Sequence, residues 1–83
     1  MNRHAKSDVR MAAIAGWGLL TDEQKASDRL HIAADAIDLT NYDKVTVGFA
    51  TGKHIIAPLT IKFQDLAEVA NIYLDVLREQ ANG

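Results

Sequence analysis

The stretch that most constrains the fold is residues 44–61, KVTVGFATGKHIIAPLTI, because only this part of the chain has the composition typical of β-strands. Two β-rich runs flank Thr51 and Gly52, and glycine tolerates the positive φ that a two-residue hairpin loop requires. We therefore predict an antiparallel hairpin with Thr51 and Gly52 as its loop. Pro58 lacks an amide hydrogen, so it either ends the pairing or confines the second strand to a sheet edge.

With that loop, alternate side chains of the hairpin divide into two faces, and both faces are rather apolar. A two-stranded hairpin is only marginally stable by itself. We therefore expect it to lie on helices, to meet another strand at an edge, or both. One face carries Val45, Val47, Phe49 and Ile56, and the other carries Thr46, Gly48, Ala50, Ile55 and Ala57.

Two helical patterns precede the hairpin. Ser7 or Asp8 can cap a first helix, which we expect to stop or bend near its two glycines. Thr21 and Gln24 have the spacing of a capping box, which predicts a second helix that runs to about Asp38. The apolar side of the first helix includes Val9, Ala13, Ile14 and Trp17, and that of the second includes Ala26, Leu30, Ala33 and Ile37.

The strongest helical pattern follows the hairpin, over residues 63–80, where apolar residues recur at steps of three and four. The predicted class is therefore α+β, with two N-terminal helices, a β-hairpin and a long C-terminal helix in the order ααββα. We expect residues 1–83 to form a single compact domain and residues 1–6 to be a flexible basic arm. The main stripe of the last helix consists of Leu66, Val69, Ala70, Tyr73, Val76 and Leu77.

Small size favours self-association. A chain of 83 residues buries only about 60 to 65% of its unfolded surface. It has no cysteine for disulfides, and oligomerisation is a common remedy in small folds. Ile72 and Leu74 lie off the main stripe of the last helix, so that helix is apolar over a broad arc. We expect a homo-oligomer that forms through the hairpin edge or the last helix, with Ile72 and Leu74 in the contact.

The composition also bears on location. The lack of cysteine excludes a thiol nucleophile and a cysteine-based zinc site, and it fits a reducing compartment. Uncharged residues 11–20 follow three cations, as in a signal peptide, but a dense polar segment comes next. Ten residues are also far fewer than the ~20 that span a bilayer. We expect a cytoplasmic protein without a membrane partner.

The net charge of −2 conceals two mildly basic segments, residues 1–10 and 41–63, each with three cations and one carboxylate. We expect Lys44, Lys53 and Lys62 to contact an acidic surface of another protein. Trp17, between two glycines, is either a core residue or an exposed aromatic anchor for that partner. The predicted function is that of a small non-enzymatic, protein-binding regulator or inhibitor.

The alternative is a nucleic-acid-binding transcriptional regulator. Two helices followed by a basic hairpin are similar, in element order only, to a winged helix whose wing contacts DNA phosphates. The basic side chains would be Arg3, Lys6 and Arg10 together with the three hairpin lysines. The acidic overall balance disfavours this alternative, because non-specific DNA binding relies on many cationic contacts.

Residues for catalysis or cofactor binding are few. Asp28, His31, Asp35 and Asp38 would share one face of the predicted second helix, but such carboxylates usually form a solvated face. No serine or threonine has the setting of a nucleophile. We therefore predict no enzyme activity, no cofactor and no metal site.

Overall fold

In sequence order, two helices precede three strands and one long helix follows them. The computed structural model describes residues 3–36 and 43–82. The α+β class is confirmed, although the order is ααβββα because a third strand precedes the hairpin. In chain order the elements are α1 (Arg3–Gly18), α2 (Asp22–Ala26), β1 (His31–Ala36), β2 (Lys44–Ala50), β3 (Ile55–Lys62), a 3₁₀ turn (Phe63–Asp65) and α3 (Leu66–Asn82).

The strands form one antiparallel sheet in the order β1-β2-β3. The central strand β2 is paired along both edges, and its side chains Val45, Val47 and Phe49 are buried. The expectation that the hairpin would need helices and a further strand is therefore confirmed. Pro58 lies in β3, which is an edge strand, as predicted for a residue without an amide hydrogen.

Both long helices pack on the same face of the sheet and against each other. The Phe49 ring lies between them: its centroid is 5.7 Å from that of Trp17 on α1 and 5.3 Å from that of Tyr73 on α3. Such aromatic pairs contribute about 0.5–1.5 kcal/mol each beyond the burial of their area. The buried cluster consists of Val9, Ala13, Trp17, Leu20, Val45, Val47, Phe49, Val69, Tyr73 and Val76.

The two helices cover different strands. α1 contacts β2 and β3, whereas α3 contacts β2 and β1. An ion pair joins the helices, with Arg10 Nη2 2.7 Å from Glu79 Oε2. The side of α3 that carries Glu79 therefore faces α1, and its opposite side lies over the β1 edge of the sheet.

The second predicted helix is correct only at its start. Thr21 N donates to Gln24 Oε1 at 2.8 Å and Gln24 N donates to Thr21 Oγ1 at 3.1 Å, which completes the capping box. However, α2 ends at Ala26, and residues 31–36 form β1. Alanine-rich β1 satisfies a helical pattern locally, but pairing with the open edge of β2 overrides that preference.

The hairpin also differs from its predicted form. Residues 51–54 connect the strands, and no glycine in the described part of the chain has a positive φ. Val47 pairs with Leu59 whereas Phe49 pairs with Ile56, so β3 contains one extra residue at a bulge. Ala57 in this bulge has φ 48°.

The faces of the hairpin are largely as predicted. Phe49 and Ile56 belong to the helix-covered face, as expected. Ala57 is the exception, because its Cβ would lie 3.8 Å from a Cβ placed on Gly16 of α1. The bulge therefore turns Ala57 toward the helices and away from the face that the simple alternation predicted.

The terminal helices agree with their predicted positions. α3 follows the 3₁₀ turn and covers most of the predicted range, while α1 begins at Arg3, before the predicted caps. Most of the predicted flexible arm is therefore helical, and its flexibility and the single-domain organisation stay predictions. None of the described helices is long and apolar enough to cross a membrane.

Candidate interaction surfaces

The three hairpin lysines do not form one patch. Lys44 and Lys62 lie opposite each other at one end of the sheet. Lys53 lies in the connection at the other end, and the seven residues of β2 span about 20 Å. Each lysine is exposed. However, the three are too far apart to contact one small partner surface together.

Trp17 is a core residue. Its side chain is only 9% exposed and meets Phe49 edge-on, with an interplanar angle of 78°. The Lys25 ammonium lies over the indole ring, 6.0 Å from its centroid. Lys25 therefore covers part of the ring surface that the core leaves open. The interpretation of Trp17 as an exposed partner anchor does not fit this burial.

The predicted acidic face around His31 does not form as a helix face, because Asp28, His31 and Asp35 are not on a helix. His31 and Asp35 lie four residues apart on β1, a distance of about 13 Å along a strand. Asp28 precedes the strand, and Asp38 lies outside the described residues. Within residues 3–36 and 43–82, no group of three or more His, Cys, Asp or Glu side chains could hold a metal ion.

The two residues predicted for self-association lie on opposite sides of α3. Ile72 packs against the core and lines a shallow depression with Arg10 and Asp75, so it faces α1. Leu74 is half-buried, and its helical position places it on the side away from α1. Only Leu74 is therefore placed where a second molecule could reach it without displacing α1.

An exposed apolar face on α1 was not predicted. Met11 is 68% exposed, Ile14 43% and Leu19, just after the helix, 68%. The assignment of Ile14 to the buried side was wrong, because Val9, Ala13 and Trp17 already fill the core-facing arc and Ile14 falls outside it. We define the α1 apolar face as Met11, Ile14, Ala15, Gly18 and Leu19, all of which are exposed.

The uncharged run of residues 11–20 is the signal that could have revealed this face. A helix that is apolar around its whole circumference needs more than one neighbour. α1 has such a neighbour on one side only, where it contacts the sheet and α3. A contiguous apolar face on a small protein is typical of an interaction site.

A second unpartnered surface is the outer edge of β1. In the described part of the chain, β1 pairs only with β2. An unpaired edge presents backbone donors and acceptors to solvent and can be completed by another strand.

Among the groups in the described part of the chain, Arg10 and Tyr73 have perturbed pKa values. The hydrogen bond from Arg10 to Glu79 is the main cause of a raised Arg10 pKa, and the charges of Glu79 and Asp75 act in the same direction. Burial raises the pKa of Tyr73. Arg10 is paired with Glu79 beside an open depression that Ser7 and Asp75 also line, whereas Tyr73 lies in the core. Both shifts therefore follow from an ion pair or from packing.

No protein-family model, curated protein or solved structure matches this chain. The surfaces described above are therefore the features of the molecule that bear on its function. Two of them are suited to contact with other proteins: the α1 apolar face and the outer edge of β1.

Proposed function

We propose that this chain is a small, non-enzymatic, self-associating regulator or inhibitor whose α1 apolar face binds an amphipathic helix of another protein. The observation that carries the proposal is the exposure of Met11, Ile14 and Leu19 along one side of α1. Apolar helix faces are a common recognition mode between proteins.

The energetics favour a packed contact at this face. Full burial of one large apolar side chain stabilises a complex by about 1.5–3 kcal/mol relative to its exposure. Ala15 and Gly18 lie among the large side chains and are small, so they allow the backbone of a partner helix to approach closely. A helix that places its own apolar residues in that space would gain most of this burial.

The proposed partner helix has acidic residues beside its apolar face. The N-terminal end of α1 belongs to the basic segment of residues 1–10, which contains three cations and one carboxylate. Lys6 is exposed in this segment. Complementary charge of this kind mainly raises the rate of association and gives specificity.

The alternative of nucleic-acid binding has less support. Lys53 is separated from Lys44 and Lys62 by the length of the sheet, and the chain carries a net charge of −2. Sub-micromolar, salt-sensitive binding to duplex DNA would favour that alternative, provided that it is abolished when these three lysines are replaced by glutamate. The proposed location is the cytoplasm, on the ground that the chain contains no cysteine.

The test compares tagged wild type with two helix-surface variants, Ile14→Glu on the α1 apolar face and Asn71→Glu on the exposed side of α3. All three are checked for folding by circular dichroism. We expect wild type and Asn71→Glu to capture the same protein from the native host, and Ile14→Glu to lose it. A peptide from the captured protein should then bind in calorimetry and become helical. Equal capture by all three proteins would contradict the proposal.

A further inference from the structure

We infer that two copies of this chain pair through their β1 strands, antiparallel and about a two-fold axis at Ala33, to form a continuous six-stranded sheet. This inference rests on the self-association in the proposed function and specifies its geometry. Its occupant is a second copy of the same chain. Four observations lead to it: the unprotected β1 edge, the direction of its backbone groups, its charge pattern and the apolar side of α3 above it.

The two edges of the sheet differ in protection. β3 carries Pro58, a bulge and a residue with positive φ. Prolines and bulges are devices by which sheets prevent pairing at an edge. β1 has neither device and pairs with β2 in one unbroken register. Self-association through the hairpin edge, as predicted from the sequence, is therefore disfavoured, and β1 is the edge left for pairing.

The backbone of β1 fits pairing centred at Ala33. Phe63 N donates to Asp43 O at 2.7 Å, so the backbone groups of Asp43 point toward β3. Because these directions alternate along a strand, the groups of Thr46 point the other way, toward its partner Asp35. The N–H and C=O groups of Ile32 and Ala34 then point to the open edge.

In the inferred register, Ile32 of each copy lies opposite Ala34 of the other, and these are the residues whose backbone groups face outward. Each such pair can exchange two hydrogen bonds. Ala33 of the two copies, and likewise His31 and Asp35, form the pairs without hydrogen bonds, in which opposite Cα atoms are about 4.5 Å apart. The register thus pairs the outward backbone groups of Ile32 and Ala34 without a change in β1.

The charges of β1 are self-complementary about the same axis. His31 and Asp35 are two residues before and two residues after Ala33, so the axis places each His31 opposite the other copy's Asp35. His31 Nδ1 is 2.8 Å from the carbonyl oxygen of Arg29, and a carbonyl only accepts, so Nδ1 donates. Nε2 is therefore the ring nitrogen left to meet the carboxylate of the other copy's Asp35. Opposite charges in cross-strand pairs are stabilising.

The side of α3 above β1 supplies an apolar contact. This α3 flank, which faces away from α1, is defined by Leu66, Ala67, Ala70, Leu74, Leu77 and Ala81, none of them fully buried. α3 contacts both β1 and β2. With strands about 4.8 Å apart, a helix over these two strands lies ~5 Å from the axis, and the two α3 helices lie ~10 Å apart, which is the spacing of packed helices.

The first test is a disulfide at the axis. The natural sequence contains no cysteine, so Ala33→Cys introduces a single thiol, and the expected Cα separation of ~4.5 Å lies within disulfide range. Mild oxidation should convert most of the folded protein to a covalent dimer. Ala26→Cys, an exposed alanine at the end of α2, is the matched control and should remain mostly uncrosslinked. An Ala33→Cys protein that crosslinks no more than Ala26→Cys would overturn the inference.

The second test is a charge exchange, measured by sedimentation equilibrium. His31→Glu places two carboxylates opposite each other twice per dimer and should raise the dimer Kd roughly tenfold. Asp35→Lys removes the carboxylate that lies opposite His31 and should also raise the Kd. The double variant restores opposite charges and should recover most of the affinity. Within one chain these positions are about 13 Å apart, so rescue requires two copies.

The outcomes separate the two proposals. A wild-type mass that stays monomeric at hundreds of micromolar overturns self-association and the dimer geometry together. A dimer whose Kd is unchanged in the single variants overturns only the β1 geometry, and self-association in the proposed function stands. Binding of the partner helix is measured separately through Ile14→Glu, so its failure is distinguishable from both.

Discussion

At the scale of single residues, the Tyr73 hydroxyl is a buried polar group without a hydrogen-bond partner among the described residues. An unsatisfied buried polar group destabilises the native state by about 1–3 kcal/mol. Tyr73→Phe removes the hydroxyl and keeps the ring beside Phe49. We expect the free energy of unfolding, measured in urea, to stay constant or to rise by about 1 kcal/mol. A clear loss of stability would mean that the hydroxyl is hydrogen-bonded in the folded protein.

Tyr73 should also make the stability of the protein depend on pH in the alkaline range. Burial raises the pKa of Tyr73, so the folded state keeps the proton at a pH where the unfolded state has lost it. An unfolded tyrosine ionises near pH 10, and the stability of wild type should fall as pH rises above that value toward the folded pKa. Tyr73→Phe lacks this component, so its advantage over wild type should be larger at pH 11 than at pH 8. An equal difference at both pH values would contradict the shift.

Gly48 lies where the structure leaves no room for a side chain. A Cβ at this position would lie 2.6 Å from Ile55 Cγ2 and 2.8 Å from the carbonyl oxygen of Ile56. Because the backbone contact cannot move freely, Gly48→Ala should lower the free energy of unfolding by about 1–3 kcal/mol. Gly52→Ala is the control, since no atom lies within 4 Å of its Cβ position. It should be neutral or slightly stabilising, and equal losses in both variants would contradict this explanation.

At the scale of elements, the two sides of α3 should have different roles, one in folding of the monomer and the other in association. Ile72→Glu replaces an apolar side chain that packs against the core where α3 meets α1, so it should lower the melting temperature because that apolar burial is lost. Leu74→Glu changes the α3 flank, so it should weaken the dimer and leave the monomer folded. The measurements are thermal unfolding by circular dichroism and molar mass by light scattering.

The reverse pattern would contradict the packing described for α3. If Leu74→Glu unfolds the monomer, Leu74 belongs to the monomer core. If Ile72→Glu dissociates a stable dimer, the interface lies on the α1 side of α3. Asn71→Glu, at an exposed position, serves as a control in both measurements.

The same elements show how far the sequence could predict the fold. The first helix, two strands and the last helix follow from local composition and periodicity, and the capping box at Thr21 is present. β1 was missed because Ala33, Ala34 and Ala36 suit a helix, and only pairing with β2 makes them a strand. Its alternation of His31, Ala33 and Asp35 with Ile32, Ala34 and Ala36 is a weak strand signal that competed with a helical one.

The interaction surfaces were predictable only in part. Leu74 was selected for self-association from the broad apolar arc of the last helix, and it lies on the exposed flank of that helix. The α1 apolar face was missed because a sequence shows that a helix is apolar all round but not which arc its neighbours cover. Trp17 illustrates the same limit. Its burial depends on a tertiary contact with Phe49 of β2, which the sequence around Trp17 does not show.

At the scale of the whole molecule, the β1 dimer and the α1 apolar face are compatible. α3 lies above the β1 edge and α1 lies over β2 and β3, away from the inferred two-fold axis. A dimer would therefore carry two α1 apolar faces, one toward each end of its six-stranded sheet. Such a dimer can bind two partner helices, and it gains avidity when those helices are linked at a matching distance.

Formation of the β1 dimer should be coupled to the stability of the fold. A dimer that dissociates on unfolding is stabilised by mass action, so its melting temperature rises with protein concentration. Each tenfold increase above the Kd adds about 1.4 kcal/mol per dimer, which corresponds to ~3–5 °C for a dimer of this size. Scanning calorimetry from 5 to about 500 µM should show this rise for wild type. Oxidised Ala33→Cys, in which unfolding no longer separates the chains, should melt at a temperature independent of concentration. A constant melting temperature for wild type over that range would exclude dimerisation coupled to folding.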